Sequence, residues 1–158
     1  MRGLVTLRAV VVGDEEFLLR VFSSVHEQTF AMLDMPAEQI NELLRMQFLA
    51  QQGQYRQQFP TADFDVVLLE GTAIGSMYAI RGPDEFVLID IALLPEHRND
   101  GIGAELVRAL IDVARESAQP LQAHVRSDNP AWRLWQRLGF QEVADDGVYL
   151  QICVPAPG

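Results

Sequence analysis

Nine consecutive residues, Phe86 to Leu94, hold one charge, Asp90, among otherwise apolar side chains. A membrane span needs about 20 apolar residues, so this run is strand-length and suits a strand buried on both faces. Pro95 closes it, and the chain then passes Glu96-His97-Arg98-Asn99-Asp100 to reach Gly101-Ile102-Gly103-Ala104. From Gly101 to Ser117 the apolar period becomes helical, with Leu106, Leu110, Val113 and Ala114 on one face and Val107 and Ile111 beside them. The order is strand, short loop, helix, with two glycines at the helix entrance. Such a junction presents free backbone N–H groups to an anion, and glycines let it approach closely. Arg98 adds a positive charge with a fork of donors.

The rest of the chain can be placed around this junction. Leu4 to Val12 reads as a strand. A helix from Asp14 or Glu15 to about Val25 carries Phe17, Leu18, Val21 and Phe22 on one face. Pro36 suits the first turn of a second helix. In it Ile40, Leu43, Leu44, Phe48 and Leu49 recur, and its polar end, Gln51 to Gln58, is expected to fray. Phe64 to Leu69 and Ala73 to Ile80 are strands around a Glu70-Gly71 turn. Gly82-Pro83-Asp84 then turns the chain into Phe86, making an antiparallel meander. Leu121 to Arg126 is a short strand. Asn129 as N-cap and Pro130 as first residue open a helix with Trp132, Leu134, Trp135 and Leu138, which Gly139 stops. Phe140 to Val143 and Val148 to Val154 close the chain around Asp145-Asp146-Gly147. The order βααβββαβαββ describes one α/β domain over residues 1–158 with a mixed sheet.

Composition narrows the function. The formal net charge is −10, and all twelve basic residues are arginine. An acidic surface repels phosphate backbones, so nucleic acid is not an expected partner. The charge either attracts a cationic amine or simply keeps the protein soluble. The N-terminal residues lack the apolar run and cleavage site of a signal peptide. Cys153 is the single cysteine, which excludes an internal disulfide and fits a reducing, cytoplasmic setting. It lies near no motif and reads as packing. No membrane attachment and no metal are expected.

Three phosphate-binding patterns compete at Arg98 to Ala104. A Walker A loop requires a lysine, and the chain has none. A Rossmann fingerprint requires a third glycine, but Leu106 stands there, and the strand follows a meander rather than opening a βαβ unit. Arg-x-x-Gly-x-Gly is satisfied by Arg98, Gly101 and Gly103. About twenty-five residues on comes Asn129-Pro130-Ala131-Trp132-Arg133-Leu134-Trp135-Gln136-Arg137-Leu138-Gly139-Phe140. The two segments, in this order, resemble the pyrophosphate-binding motif and the Asn-Pro-Ala helix ending in Leu-Gly-Phe of the GNAT acetyltransferases. The close match spans Phe86 to Phe140, and the element order extends it more loosely to the whole chain.

The resemblance implies a GNAT-type, mainly antiparallel sheet with a splay between strands 4 and 5 and acetyl-CoA in the cleft. It implies that the backbones of Ile91 and Leu93 pair with the pantetheine and that the Leu93 N–H stabilises the oxyanion. The backbone from Arg98 through Asn99, Asp100, Gly101, Ile102 and Gly103 to Ala104 would hold the pyrophosphate. Asn129 would bond the pantetheine arm, serve as a plain N-cap, or do both. The reaction is direct attack of an amine on the thioester. Many relatives have a tyrosine as acid four residues before the motif's glycine, but here Trp135 stands there, and indole cannot supply that proton. The thiolate would then leave unassisted, be protonated by water, or take a proton from Tyr149, whose other reading is a packed core residue. His124, central on the fifth strand, is the candidate base, where alanine acetyltransferases of ribosomal proteins carry an acidic residue. It is otherwise a structural histidine of the sheet. Asp90 and Glu96 are second-rank; an unpaired carboxylate in an apolar strand is costly, so Asp90 needs a partner or a task. His97 and His26 read as surface residues.

The family usually selects its acceptor with the N-terminal helices, here about Gln28 to Arg56. These residues would line a pocket for a small-molecule or peptide amine, or a homodimer surface. Trp135 keeps a second function open, a non-catalytic acyl-CoA sensor; a plain interaction module is the third.

Overall fold

The computed structural model describes residues 3–129 and 131–158. Its elements are β1 (Val5–Ala9), α1 (Glu15–Ala31), α2 (Ala37–Gln58), β2 (Asp63–Leu69), β3 (Thr72–Arg81), β4 (Phe86–Leu93), α3 (Ile102–Glu116), β5 (Leu121–Arg126), α4 (Trp132–Leu138), β6 (Gln141–Asp145) and β7 (Tyr149–Val154). Short 3-10 turns lie at Val12–Asp14 and Pro95–His97. The order is the βααβββαβαββ expected from the sequence. Seven strands form one sheet in the order β1-β2-β3-β4-β5-β7-β6. β4 and β5 run parallel, while β1 with β2, β5 with β7 and β6 with β7 are antiparallel. By their contacts the residues fall into two units, Met1–Met77 with Ile91–Arg98 and Tyr78–Asp90 with Asn99–Gly158.

In the first unit, β1 is shorter than Leu4 to Val12 because Asp14 turns the chain. Its Oδ2 accepts the Val11 N–H at 2.8 Å, and both its oxygens accept from the Arg8 guanidinium at 2.8 Å. The Arg8 guanidinium, followed by the Val11 N–H, holds the buried Asp14 carboxyl down to about 2. That value lies below the ~3.9 of an unfolded aspartate. The resulting stability is complete above about pH 4 and is lost as pH falls toward 2. Asp14→Asn is expected to cost about 1 kcal/mol at pH 7, the scale of a lost cap. In urea denaturation the gap to the unsubstituted protein should close near pH 2.

α1 runs past Val25 to Ala31, and Phe30 in its last turn is buried. α2 stays helical to Gln58 instead of fraying. There the Arg56 guanidinium lies 4.0 Å over the Phe64 ring, and the Phe59 N–H donates to Tyr55 O at 2.8 Å. Leu18, Val21, Phe30, Leu44 and Phe48 are buried, with Phe22 edge-on to Phe48 at 5.8 Å. His26 is half-buried on α1: its ring lies 4.3 Å from that of Phe22, and burial lowers its pKa.

In the second unit, α3 buries Ile102, Leu106, Val107, Leu110, Ile111 and Ala114, the stripe its period called for with Val113 excepted. Leu121 and Ala123 of β5 and Leu150, Ile152 and Val154 of β7 are also buried. α4 begins at Trp132, later than Asn129 and Pro130 suggest, and the expected place of Pro130 lies outside the described residues. Gly139, in the left-handed region at φ 113°, ends it. Cys153 is half-buried, and burial, then the charge of Glu85, raises its pKa, which suits an inert thiol.

Candidate functional site

β4 is the strand the sequence marks most strongly, and its two ends behave differently. Its parallel ladder with β5 runs Phe86↔Leu121, Val87↔Gln122, Leu88↔Ala123 and stops there. β5 continues to Arg126 against β7 alone. The pairing of β4 with β5 is confined to the first three residues of β4. This corrects the expectation of burial on both faces: Phe86 and Leu88 are buried, but Ile89 to Leu93 are all half-buried. Asp90 is half-buried and is not without a partner.

The strand changes sides along its length. The Phe86 N–H donates to Pro120 O, next to β5, while the Leu94 N–H donates to Ile74 O on β3. These residues are an even number apart, so a regular strand would turn both to one side. A one-residue irregularity must intervene, as in a β-bulge. With Leu94 turned to β3, Leu93 and Ile91 turn their N–H and C=O groups away from it. Gly75 of β3 makes the close approach possible, since a Cβ there would collide with the Ala92 carbonyl oxygen and press on Leu93. A glycine inside a strand pattern is the signal for such an approach.

Arg98 is held within the first unit. Its Nε donates to Leu93 O at 2.9 Å and its Nη2 to Ser24 Oγ at 3.2 Å, while its backbone N–H donates to Pro95 O at 3.2 Å. Glu96 makes a 3.4 Å ion pair with Arg20 of α1. The Ser24 contact joins residues 74 apart in sequence, so no local pattern announces it.

In the second unit the loop into α3 places Asn99 (φ 65°) and Gly101 (φ 80°) in the left-handed region. Gly101 is the N-cap of α3 and, having no side chain, makes no side-chain cap bond of its own. A Cβ built at Gly103 meets nothing within 4 Å. The residues fit a phosphate group: first-turn N–H donors, a positive helix end and open space over a glycine.

On β5, His124 and Arg126 are exposed, opposite Gln151 and Tyr149 of β7. Tyr149 is 46 % exposed, which excludes the packed core tyrosine, and the Arg126 guanidinium lies 5.9 Å from its ring. The Tyr149 and Val148 N–H groups donate to Asp146 Oδ1 at 2.7 and 2.9 Å. These bonds, first Tyr149 and then Val148, lower the Asp146 pKa, and the charge of His124 contributes. Asn129 is not the N-cap of α4, which is Ala131; its Oδ1 accepts the Ala131 N–H at 2.8 Å in the turn that precedes the helix. Trp135 is buried edge-on to Phe140 at 6.0 Å, and its Nε1 has no hydrogen-bond partner among the described residues. His97 is half-buried in the turn after β4. Among the described residues no group of His, Cys, Asp and Glu could hold a metal ion, and no helix is long and apolar enough to cross a membrane.

A parallel β4–β5 pair followed by a glycine-capped helix is the arrangement that the GNAT resemblance implies. The model of the acetyltransferase (GNAT) family matches residues 31–140, and the chain belongs to this family. Among solved structures, the chain is similar to the PaiA N-acetyltransferase of Thermoplasma acidophilum in complex with coenzyme A. The TM-score is 0.70 and the identity 19%, over 98% of this chain and 99% of that one. An acetyltransferase from Thermus thermophilus gives a TM-score of 0.70 at 20% identity, with 98% and 99% covered. At these identities the likeness is one of fold. No curated protein sequence matches the chain. The protein is an acetyltransferase with acetyl-CoA as donor.

Proposed function

We propose that the chain, over residues 1–158, is a single N-acetyltransferase domain that transfers the acetyl group of acetyl-CoA to a primary amine by direct attack. The observation that carries this reading is the glycine-capped N-terminus of α3, with its open space at Gly103. Acetyl-CoA supplies an activated thioester. The backbone from Arg98 to Ala104, with Asn99, Asp100, Gly101, Ile102 and Gly103 between, binds the pyrophosphate. The backbones of Ile91 and Leu93, turned from β3, take the pantetheine, and the Leu93 N–H polarises the thioester carbonyl. Arg98 Nε donates to Leu93 O and so anchors the next peptide, between Leu93 and Leu94. Asn129 keeps an amide NH2 for the pantetheine while its oxygen accepts the Ala131 N–H. His124, exposed on β5, removes the proton of the incoming ammonium.

Tyr149 is exposed and near Arg126, and it is the side chain proposed to protonate the thiolate in place of the tyrosine that Trp135 replaces. The acceptor is a small molecule or a peptide amine, the protein works in the cytoplasm as a monomer or homodimer, and its acidity keeps it from nucleic acid.

The test is thermal unfolding with acetyl-CoA, CoA or NADH, followed by an amine screen for free CoA. A ligand at ~100 times its Kd stabilises by ~2.7 kcal/mol, a rise of several degrees in Tm for a domain of this size. A shift with acetyl-CoA and not NADH, with CoA release that requires an amine, is expected. A shift without turnover on any amine would favour the acyl-CoA sensor. No shift at millimolar acetyl-CoA would leave the α3 entrance without its ligand.

A further inference from the structure

The groove between α1 and α2 is a built cavity, and its chemistry is specific. Its volume is about 430 Å³, within the ~300–1,000 Å³ of small-molecule sites. Phe30, Ile40 and Leu44 supply apolar lining, and Phe30 and Leu44 are buried. Arg20, Ser24 and Glu27, at the spacing of successive turns along α1, add polar groups to the same wall. Ser24 ties this wall to the end of β4, because Arg98 donates to both Ser24 Oγ and Leu93 O. The end of the groove beside Ser24 therefore has two guanidinium groups close at hand, Arg20 and Arg98. Two carboxylates accompany them: Glu27 in the wall, and Glu96 paired with Arg20 at 3.4 Å. That ion pair is exposed on both sides and long, the kind that contributes little and yields to a better partner.

Cations and carboxylates in equal number around an apolar floor complement a zwitterion. A diamine would leave both guanidinium groups facing like charge, and a fatty amine would leave them unused. Resting on the N-acetyltransferase reading, we propose that the acceptor is a free α-amino acid with an apolar side chain. Its carboxylate meets Arg20 and Arg98, its ammonium enters beside Glu27 and Glu96, and its side chain lies on Phe30, Ile40 and Leu44. The amine nitrogen forms the new amide bond to the acetyl carbon as the carbon–sulfur bond breaks. The ammonium gives up two protons: one goes to the base before attack, and the other neutralises the departing thiolate, which leaves as CoA.

Matched pairs test this: L-leucine, L-phenylalanine and L-methionine against their α-amides, with spermidine and phenethylamine alongside, at fixed acetyl-CoA. The acids should exceed their amides in kcat/KM by at least about tenfold, the effect of one charge-assisted contact. Arg20→Gln should erase that preference by raising KM for the acids, while leaving acetyl-CoA affinity by calorimetry unchanged. Leu44→Asp should lower kcat/KM for all three acids and leave acetyl-CoA affinity intact; Leu44→Met provides the folded control. Equal rates for acids and amides, or a preference for amides, spermidine or phenethylamine, would overturn the assignment. So would absence of transfer to the acids. In that last case calorimetry with acetyl-CoA separates the two claims: binding retained sinks the amino-acid assignment alone, and binding absent sinks the transferase reading with it.

Discussion

Gly103→Glu is expected to abolish acetyl-CoA binding while leaving the protein folded. The position is helical rather than left-handed, and a Cβ there meets nothing within 4 Å, so a side chain can start there without a clash. The open space is where a pyrophosphate would approach the first-turn N–H groups of α3. A carboxylate placed in it competes for the same donors and repels the phosphates. Affinity should fall at least about 100-fold, or ~2.7 kcal/mol, by calorimetry. Far-UV circular dichroism and the ligand-free Tm should stay close to those of the unsubstituted protein. Gly101→Glu is the less informative variant, because Gly101 sits at φ 80° and any side chain there is strained before a ligand is considered. Unchanged affinity in a folded Gly103→Glu protein would remove the pyrophosphate from the α3 entrance.

The glycine at that entrance was legible in the sequence for a physical reason. A helix start, a strand end and a glycine spacing are all local, and local patterns survive in one dimension. The period of α3 and the limits of β5 were readable on the same basis. Where tertiary contacts set the outcome, the local signal failed. β1 stops at Ala9 because Arg8 and Val11 converge on Asp14. α2 keeps its polar end because Arg56 stacks on Phe64. The apolar run of β4 suggested full burial, yet more than half of it has no β5 partner after Leu88. Apolarity there describes the composition of a strand, not how far its partner follows. The same limit applied to Arg98. Its place in the motif suggested a guanidinium for phosphate, but its side chain reaches back to Leu93 and across to Ser24, a contact with no trace in sequence spacing. Gly75 did leave a trace, a glycine within a strand, but only the nearness of Ala92 shows what it is for.

His124→Ala should lower kcat with little change in acetyl-CoA affinity, because a base acts on the incoming ammonium and not on the donor. General-base catalysis contributes typically ~10²–10⁴-fold, so a fall of about 100-fold in kcat is the expected scale. His124 stands on the exposed face of β5 opposite Gln151, with Arg126 two residues on and the Asp146 carboxylate near enough to feel its charge. Asp146 is itself fixed by the Val148 and Tyr149 N–H groups. A base must be reachable by the incoming ammonium, and the exposure of His124 on β5 provides that. The acidic limb of the pH–rate profile reports the base in its protonated form, and it should vanish along with the rate. Exposure makes the substitution structurally mild, so Tm should hold and the loss can be read as chemistry. The structural alternative, a histidine that only supports the sheet, gives the reverse pattern: a lower Tm, an unshifted profile and nearly normal kcat. If that pattern appears, proton removal passes to water or to another side chain, and Glu96, exposed beside Arg20, becomes the next residue to change.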